Sequence, residues 1–147
     1  IDDKIDTGEI ILQKEISIDN DETVGSLHDK LMFLGADLVT KTVDLISEGN
    51  VTTKKQPELE EKSAPKLNPE NTKINWTHSL DTIYNQIRGL NPFPAAWTSI
   101  KNNDEEITAK IYAVRKEIQE HKFNTGKIIA STVAKNVKIV MILTKKN

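Results

Sequence analysis

The spacing of hydrophobic residues changes from helical to extended between Gly89 and Ala96, and no other feature of the sequence constrains the fold as strongly. Upstream, apolar residues recur at intervals of four, three, four and three, which marks one face of a helix: Trp76, Leu80, Ile83, Ile87 and Leu90. Ser79 or Thr77 can cap the start of this helix. Gly89 can end it, and Pro92 prevents its continuation.

Beyond Ala96, apolar residues alternate with polar ones, which is the pattern of half-buried strands. The alternation covers residues 107–113 and 137–143, and a short strand at 127–131 follows a turn at Gly126. Short strands at this spacing predict a small antiparallel barrel. The sequence ends within or just after a strand, so we expect the barrel to be incomplete.

The first third of the chain has the pattern of a strand followed by a long helix. The strand is predicted from Glu9 to Ile18, and the helix follows with apolar residues at Val24, Leu27, Leu31, Leu34, Leu38, Leu45 and Ile46. Asp21 or Thr23 can cap the helix, and Gly49 suits the left-handed position after its end. Gly35 predicts either a break between two helices or a close neighbour. This order is typical of the tail of an α/β domain.

Composition divides the chain further. Residues 1–70 hold 8 lysines and 16 acidic residues, a net charge of −8, whereas residues 71–147 hold 12 basic and 6 acidic residues, a net charge of +6. Residues 50–73 carry three prolines and little apolar periodicity, which is typical of a linker. We therefore predict an α/β part at 1–56, a linker at 57–73 and a mainly β domain at 74–147.

The absence of cysteine excludes disulfides and Cys-based zinc sites.

Two groups of residues have the chemistry of a site. Asp2, Asp3 and Asp6 cluster on a glycine turn, where carboxylates serve as a general base, as metal ligands or, most often, as loop organisers. Basic side chains in the second half can contact the phosphates of a folded RNA, or can form an ordinary solvated face: Arg88, Lys101, Lys110, Arg115, Lys116, Lys122 and Lys127. The three histidines lack metal-ligand spacing, so no metal is expected. Trp76 and Trp97 are expected to fill a small core.

These features together resemble one family. The acidic loop Asp2-Asp-Lys-Ile-Asp-Thr-Gly8, the Ile74-Asn-Trp76 segment and the block Arg88-Gly-Leu-Asn-Pro-Phe-Pro-Ala-Ala-Trp97 resemble the methionyl-tRNA formyltransferases. Phe93 departs from the family, where tryptophan is usual. The resemblance implies an α/β fold class, with the tail of a Rossmann-like formyltransferase domain followed by a mainly β, OB-like barrel that holds tRNA.

The resemblance also implies a reaction. Formyl transfer runs from 10-formyltetrahydrofolate to the amino group of initiator methionyl-tRNA during translation initiation. Asp6 corresponds to the aspartate of a catalytic Asn-His-Asp set, and the loop at Asp3, Ile5 and Asp6 lines the folate pocket. The matching Asn and His are not in this sequence, so we expect a fragment that is inactive alone. A monomeric, cytoplasmic protein with no membrane or metal partner is expected.

Two alternatives remain open from the sequence. Sibling formyltransferases that act on a UDP-amino sugar or on folate itself share both regions, although their versions of the Arg88–Trp97 block usually differ. A non-enzymatic RNA-binding module that retains the formyltransferase tail would carry the same residues. The identity of the amine acceptor distinguishes the sibling enzymes from a methionyl-tRNA formyltransferase. The length of the native polypeptide distinguishes the RNA-binding module from an enzyme.

Overall fold

The computed structural model describes residues 7–56, 63–102, 104–118, 122–132 and 138–142. The chain forms two compact units, Ile1–Lys66 and Leu67–Asn147. Among the described residues, the first unit contains one helix, and the second contains two helices and two pairs of antiparallel strands. In chain order the elements are α1 Val24–Ser47, α2 Pro69–Thr72, α3 Leu80–Leu90, β1 Ala96–Asn102, β2 Glu105–Ile111, β3 Ile128–Thr132 and β4 Lys138–Ile142.

Helix α1 confirms the helix predicted in the first unit. Thr23 caps it, because its Oγ1 accepts a hydrogen bond from the N–H of Ser26 at 3.2 Å. After the cap residue Glu48, Gly49 has a φ of 70°, the left-handed conformation that ends helices and favours glycine. Gly35 lies inside one continuous helix, and within the described part of the chain nothing lies within 4 Å of a side chain added there. Neither a break in the helix nor a close neighbour therefore explains why residue 35 is a glycine.

An ion pair between the buried carboxylate of Glu22 and the exposed lysine Lys30 fixes the start of α1. The carboxylate of Glu22 is only 7% exposed and accepts hydrogen bonds from the Nζ of Lys30 and the Oγ of Ser26. The hydrogen bond from Lys30, followed by that from Ser26, holds the pKa of Glu22 below its ordinary value. The same bond raises the pKa of Lys30. Both groups are therefore charged near neutral pH, where they tie the segment before α1 to the helix.

The predicted strand from Glu9 to Ile18 was wrong. Only Ile10 makes a ladder contact, an antiparallel bridge to Lys54 with N–H to O distances of 2.8 and 2.9 Å. Among the residues described, 12–18 have no strand neighbour, and an apolar run becomes a strand only where another chain segment receives its hydrogen bonds. Leu12, Ile16 and Ile18 are consequently exposed.

Helix α3 supplies the core of the second unit. Ser79 caps it through a hydrogen bond of 3.2 Å from the N–H of Thr82, and the helix ends one residue beyond the predicted Gly89. Asn91 is already extended, as expected for a residue that precedes a proline. The buried cluster consists of Ile74, Ile83, Ile87, Leu90 and Ala96, with Trp76 packed against it.

Two antiparallel hairpins confirm the predicted strands. β1 pairs with β2 in the register Ala96 to Ile111, and β3 pairs with β4 in the register Ile128 to Ile142. Within the described residues the two hairpins form separate two-stranded sheets. These two sheets do not by themselves make a closed barrel, so the OB-like barrel stays a prediction.

The β1–β2 hairpin has one buried and one outer face. Ala96 and Thr98 are buried against α3, and the Thr98 hydroxyl accepts a hydrogen bond from Trp76 Nε1 at 2.8 Å. Because strand residues alternate, Trp97 lies on the opposite, outer face. Trp76, which is half-buried, thus packs against the core near its predicted place, whereas Trp97, also half-buried, lies on the other face, so its predicted core position was wrong. Alternation alone could not show which of two adjacent apolar residues faces inward.

Candidate nucleic-acid interface

The segment that follows the acidic residues is anchored within the first unit. Asp2, Asp3, Ile5 and Asp6 lie outside the described residues. Immediately after them, the carbonyl of Gly8 accepts a hydrogen bond from Gln56 Nε2 at 2.7 Å, next to the bridge between residues 10 and 54. Segment 53–56 therefore anchors the chain where it leaves the loop. Sequence reasoning missed this anchor, because no local signal connects residues more than forty positions apart.

The predicted basic residues occupy five places in the second unit. Arg88 is on α3, Lys101 on β1 and Lys110 on β2, whereas Arg115 and Lys116 follow β2, and Lys122 and Lys127 precede β3. All are exposed except Arg88, which is half-buried with its Nε donating to Asn85 Oδ1 at 2.8 Å. The structure thus spreads these charges over several surfaces.

The outer face of the β1–β2 hairpin joins basic and aromatic groups. Lys110 is the cross-strand partner of Trp97, so the two side chains are neighbours on this face. Lys73 lies over the Trp97 ring with its Nζ 4.9 Å from the centroid, and a parallel bridge between the two residues positions it. Trp97 Nε1 donates to the carbonyl of Pro69 at 2.8 Å, which fixes the ring. We call Lys73, Trp97 and Lys110 the outer-face cluster.

Lys73 was absent from the residues expected to bind RNA. Its place in the outer-face cluster depends on a bridge to a strand more than twenty residues away, which the sequence does not signal. Neither Lys73 nor Lys110 forms an ion pair with any residue that the structure describes. Their charges are therefore available to an anionic partner.

Lys116, unlike Lys73 and Lys110, forms an ion pair within the second unit. Its Nζ lies 2.9 Å from Asp81 Oδ1 and 4.7 Å from the centroid of the Tyr84 ring, so both contacts are to helix α3. The side chain of Asn91 donates to the carbonyl of Tyr112 at 2.8 Å. These contacts tie the segment after β2 onto α3, and they neutralise the charge of Lys116 locally.

Lys101 and Lys127 come together at one cleft. The cleft has a volume of about 480 Å³ and lies between β1 and the turn before β3. The Nζ of Lys127 is 5.0 Å from the centroid of the Phe123 ring, and neither lysine has an ion-pair partner among the residues described. Sequence reasoning named both lysines without being able to show that they share a cleft.

The part of the chain that the structure describes contains no group of three or more His, Cys, Asp or Glu side chains arranged to hold a metal ion. Within the same residues, no helix is long and apolar enough to cross a membrane.

The chain matches a known domain family. Residues 66–145 match the family described as "Formyl transferase, C-terminal domain", which is more than half of the chain. The methionyl-tRNA formyltransferase of Flavobacterium psychrophilum is 45% identical over 97% of this chain, and that of Flavobacterium johnsoniae is 47% identical over 96%. The aligned regions amount to 45% and 44% of those two proteins, so the chain spans less than half of their length.

A solved structure has a similar fold. A Mycobacterium tuberculosis protein, described as a proposed sugar N-formyltransferase, superimposes with a TM-score of 0.57. The match covers 80% of this chain and 52% of that one at 24% sequence identity. At this level of identity the likeness supports the fold and carries no information about the substrate.

Proposed function

We propose, on the premise that this chain belongs to the formyltransferase family defined by this C-terminal domain, that its native polypeptide formylates methionyl-tRNA. The formyl donor is 10-formyltetrahydrofolate, and the acceptor is the amino group of the methionine on initiator tRNA. The observation that carries the proposal is the 45% identity to a methionyl-tRNA formyltransferase over 97% of the chain. We therefore expect the protein to act in translation initiation, in the cytoplasm and as a monomer.

The two parts of the chain have separate roles in this proposal. Residues 1–56 belong to the catalytic domain, residues 57–73 form the linker, and residues 74–147 form an OB-like domain that holds the tRNA. The outer-face cluster, in which Lys73 at the end of the linker joins two residues of this domain, supports the last role, because lysine ammonium groups that form no ion pair with the described residues can neutralise phosphates and release their counterions. Asp3, Ile5 and Asp6 line the folate pocket, and Asp6 completes a catalytic set with an Asn and a His from outside this chain.

A transfer assay tests the proposal. The native full-length polypeptide is incubated with 10-formyltetrahydrofolate and either initiator methionyl-tRNA or a UDP-amino sugar, and formylated product is measured for each acceptor. We expect formylation of the tRNA alone. Formylation of the amino sugar alone would replace our proposal with the sibling activity. Binding of tRNA with no transfer to either acceptor would favour an RNA-binding module.

The contacts around two lysines give a matched pair of predictions. Lys110→Gln is expected to weaken tRNA binding and to lower the slope of log K against log salt by about 1, because one phosphate contact is lost. Lys116→Gln is expected to leave this slope nearly unchanged, because Asp81 already neutralises that charge. It should instead destabilise the second unit by at most about 1 kcal/mol, as for an exposed ion pair.

The readouts are tRNA binding at several salt concentrations and urea denaturation for the same variants. An equal fall in slope for both variants would show that Lys116 contacts RNA despite its ion pair. An unchanged slope for Lys110→Gln would assign the outer-face cluster to an ordinary solvated surface.

A further inference from the structure

One edge of β1 carries backbone groups that β2 does not use. The carbonyl of Trp97 accepts a hydrogen bond from the N–H of Ile74 at 2.8 Å, so the polar groups of Trp97 point away from β2. Successive residues in a strand alternate in direction, so the backbone groups of Ser99 and Lys101 point to the same edge. Among the described residues, none forms a backbone hydrogen bond with them there.

The cleft of about 480 Å³ lies against this edge. One wall consists of residues 99–101 and the other of residues 126–128. Gly126 has a φ of 83°, which only glycine adopts without strain, and the N–H of Lys127 closes the turn on the carbonyl of Asn124 at 3.2 Å. A closed turn therefore holds Lys127 at the wall opposite Lys101.

The groups around the cleft suit an anion. Two ammonium groups, the hydroxyl of Ser99 and the N–H groups of the strand edge are hydrogen-bond donors, whereas the carbonyls at the same edge are acceptors and contribute nothing to anion binding. The nearest carboxylate in the strand register is that of Glu106, the cross-strand partner of Lys101, and no ion pair joins the two side chains. The residues that line the cleft include no aromatic side chain, so a nucleotide base would find no stacking surface there.

We propose that this cleft holds one backbone phosphate of the bound RNA between Lys101 and Lys127. The proposal rests on the tRNA-binding role proposed above, and it specifies which chemical group of the RNA occupies this place. A phosphodiester has one negative charge and two acceptor oxygens, so both ammonium groups can bind it from opposite walls. Contacts of this kind position the RNA without reading its sequence.

A double-mutant cycle tests whether the two lysines share one phosphate. Binding of an initiator tRNA transcript to the native full-length protein is measured for Lys101→Gln, for Lys127→Gln and for both changes together. Loss of one phosphate contact weakens binding about eightfold at 0.1 M salt and lowers the salt slope by about 1. We expect the double variant to show about this loss, less than the product of the two single losses. Single losses that multiply would overturn the shared phosphate, as would an unchanged slope.

Two further variants complete the test. Lys14→Gln combined with Lys41→Gln removes the same net charge from exposed positions in the first unit and is expected to leave the slope unchanged. Glu106→Gln removes the carboxylate next to Lys101 and is expected to strengthen tRNA binding about twofold to threefold. Misfolding cannot produce stronger tRNA binding. Unchanged or weaker binding by the Glu106→Gln variant would contradict a phosphate site in the cleft.

The transfer assay separates this inference from the proposed function. Suppose that the protein formylates methionyl-tRNA but the slope of log K against log salt is the same in the Lys101 and Lys127 variants as in the native protein. The proposed function would then stand, and the phosphate site in the cleft would be rejected. Suppose instead that the slope falls as expected in the variants but the native protein formylates no tRNA. The cleft would then stand as an RNA phosphate site, and the enzymatic role would be rejected.

Discussion

Replacing Asp6 with Asn is expected to lower the rate of formyl transfer by about two to four orders of magnitude while tRNA affinity hardly changes. Asparagine preserves the shape of the side chain and removes its charge. In the proposed mechanism that charge keeps the catalytic His protonated, so that Asn and His can stabilise the tetrahedral oxyanion formed when the methionyl amine attacks the formyl carbon. The amine loses a proton through ordered water, and the intermediate collapses: the bond from the formyl carbon to N10 of the folate breaks, N10 takes up a proton, and tetrahydrofolate leaves. Such interactions act on the transition state and not on the bound tRNA.

The measurement is single-turnover formylation by the native polypeptide, together with tRNA binding under the same conditions. Asp29→Asn, which removes an equal charge from an exposed position on α1, serves as the control and should retain full activity. A parallel loss of rate and tRNA affinity in the Asp6 variant would show that this residue organises the tRNA site instead of the chemistry.

The sequence was sufficient wherever structure depends on near neighbours. The cap at Thr23, the left-handed Gly49 and the end of α3 before Pro92 all depend on contacts within a few residues, so helix boundaries could be predicted closely. The strand period also located β2 and β4, because alternation is visible locally, and the turn at Gly126 located β3. Asp2, Asp3 and Asp6 were named because they cluster on a glycine turn, whereas their catalytic and folate-binding roles came from the resemblance alone and lie outside the described residues.

Features that depend on distant pairing could not be predicted. The segment after Glu9 has the composition of a strand, yet only Ile10 pairs, because a strand requires a neighbour that composition does not supply. The contact of Lys73 with Trp97 likewise depends on which segment lies beside β1. The lysines of the second unit looked equivalent in sequence, and only the structure separates Lys116, paired with Asp81, from Lys73, Lys101, Lys110 and Lys127, which form no ion pair with any described residue.

Replacing Ile87 with Ala is expected to destabilise the second unit by about 2–5 kcal/mol. Ile87 is 1% exposed and is the largest fully buried side chain among the residues described. Its truncation loses hydrophobic contacts and leaves a cavity that the remaining side chains cannot fill. Domains are stable by only about 5–15 kcal/mol, so a core this small could lose a large share of its stability.

Tryptophan fluorescence during urea denaturation measures this loss selectively, because the chain has two tryptophans and both lie in the second unit. Ile107→Ala is the matched control: it removes the same atoms from a side chain that is 55% exposed, and it should change stability by no more than about 0.5 kcal/mol. Since Ile87 packs beneath the hairpin that carries the outer-face cluster, its variant should bind tRNA normally while folded and lose binding along the unfolding curve. Weaker binding in the fully folded variant would instead mean that the core sets the spacing of the lysines.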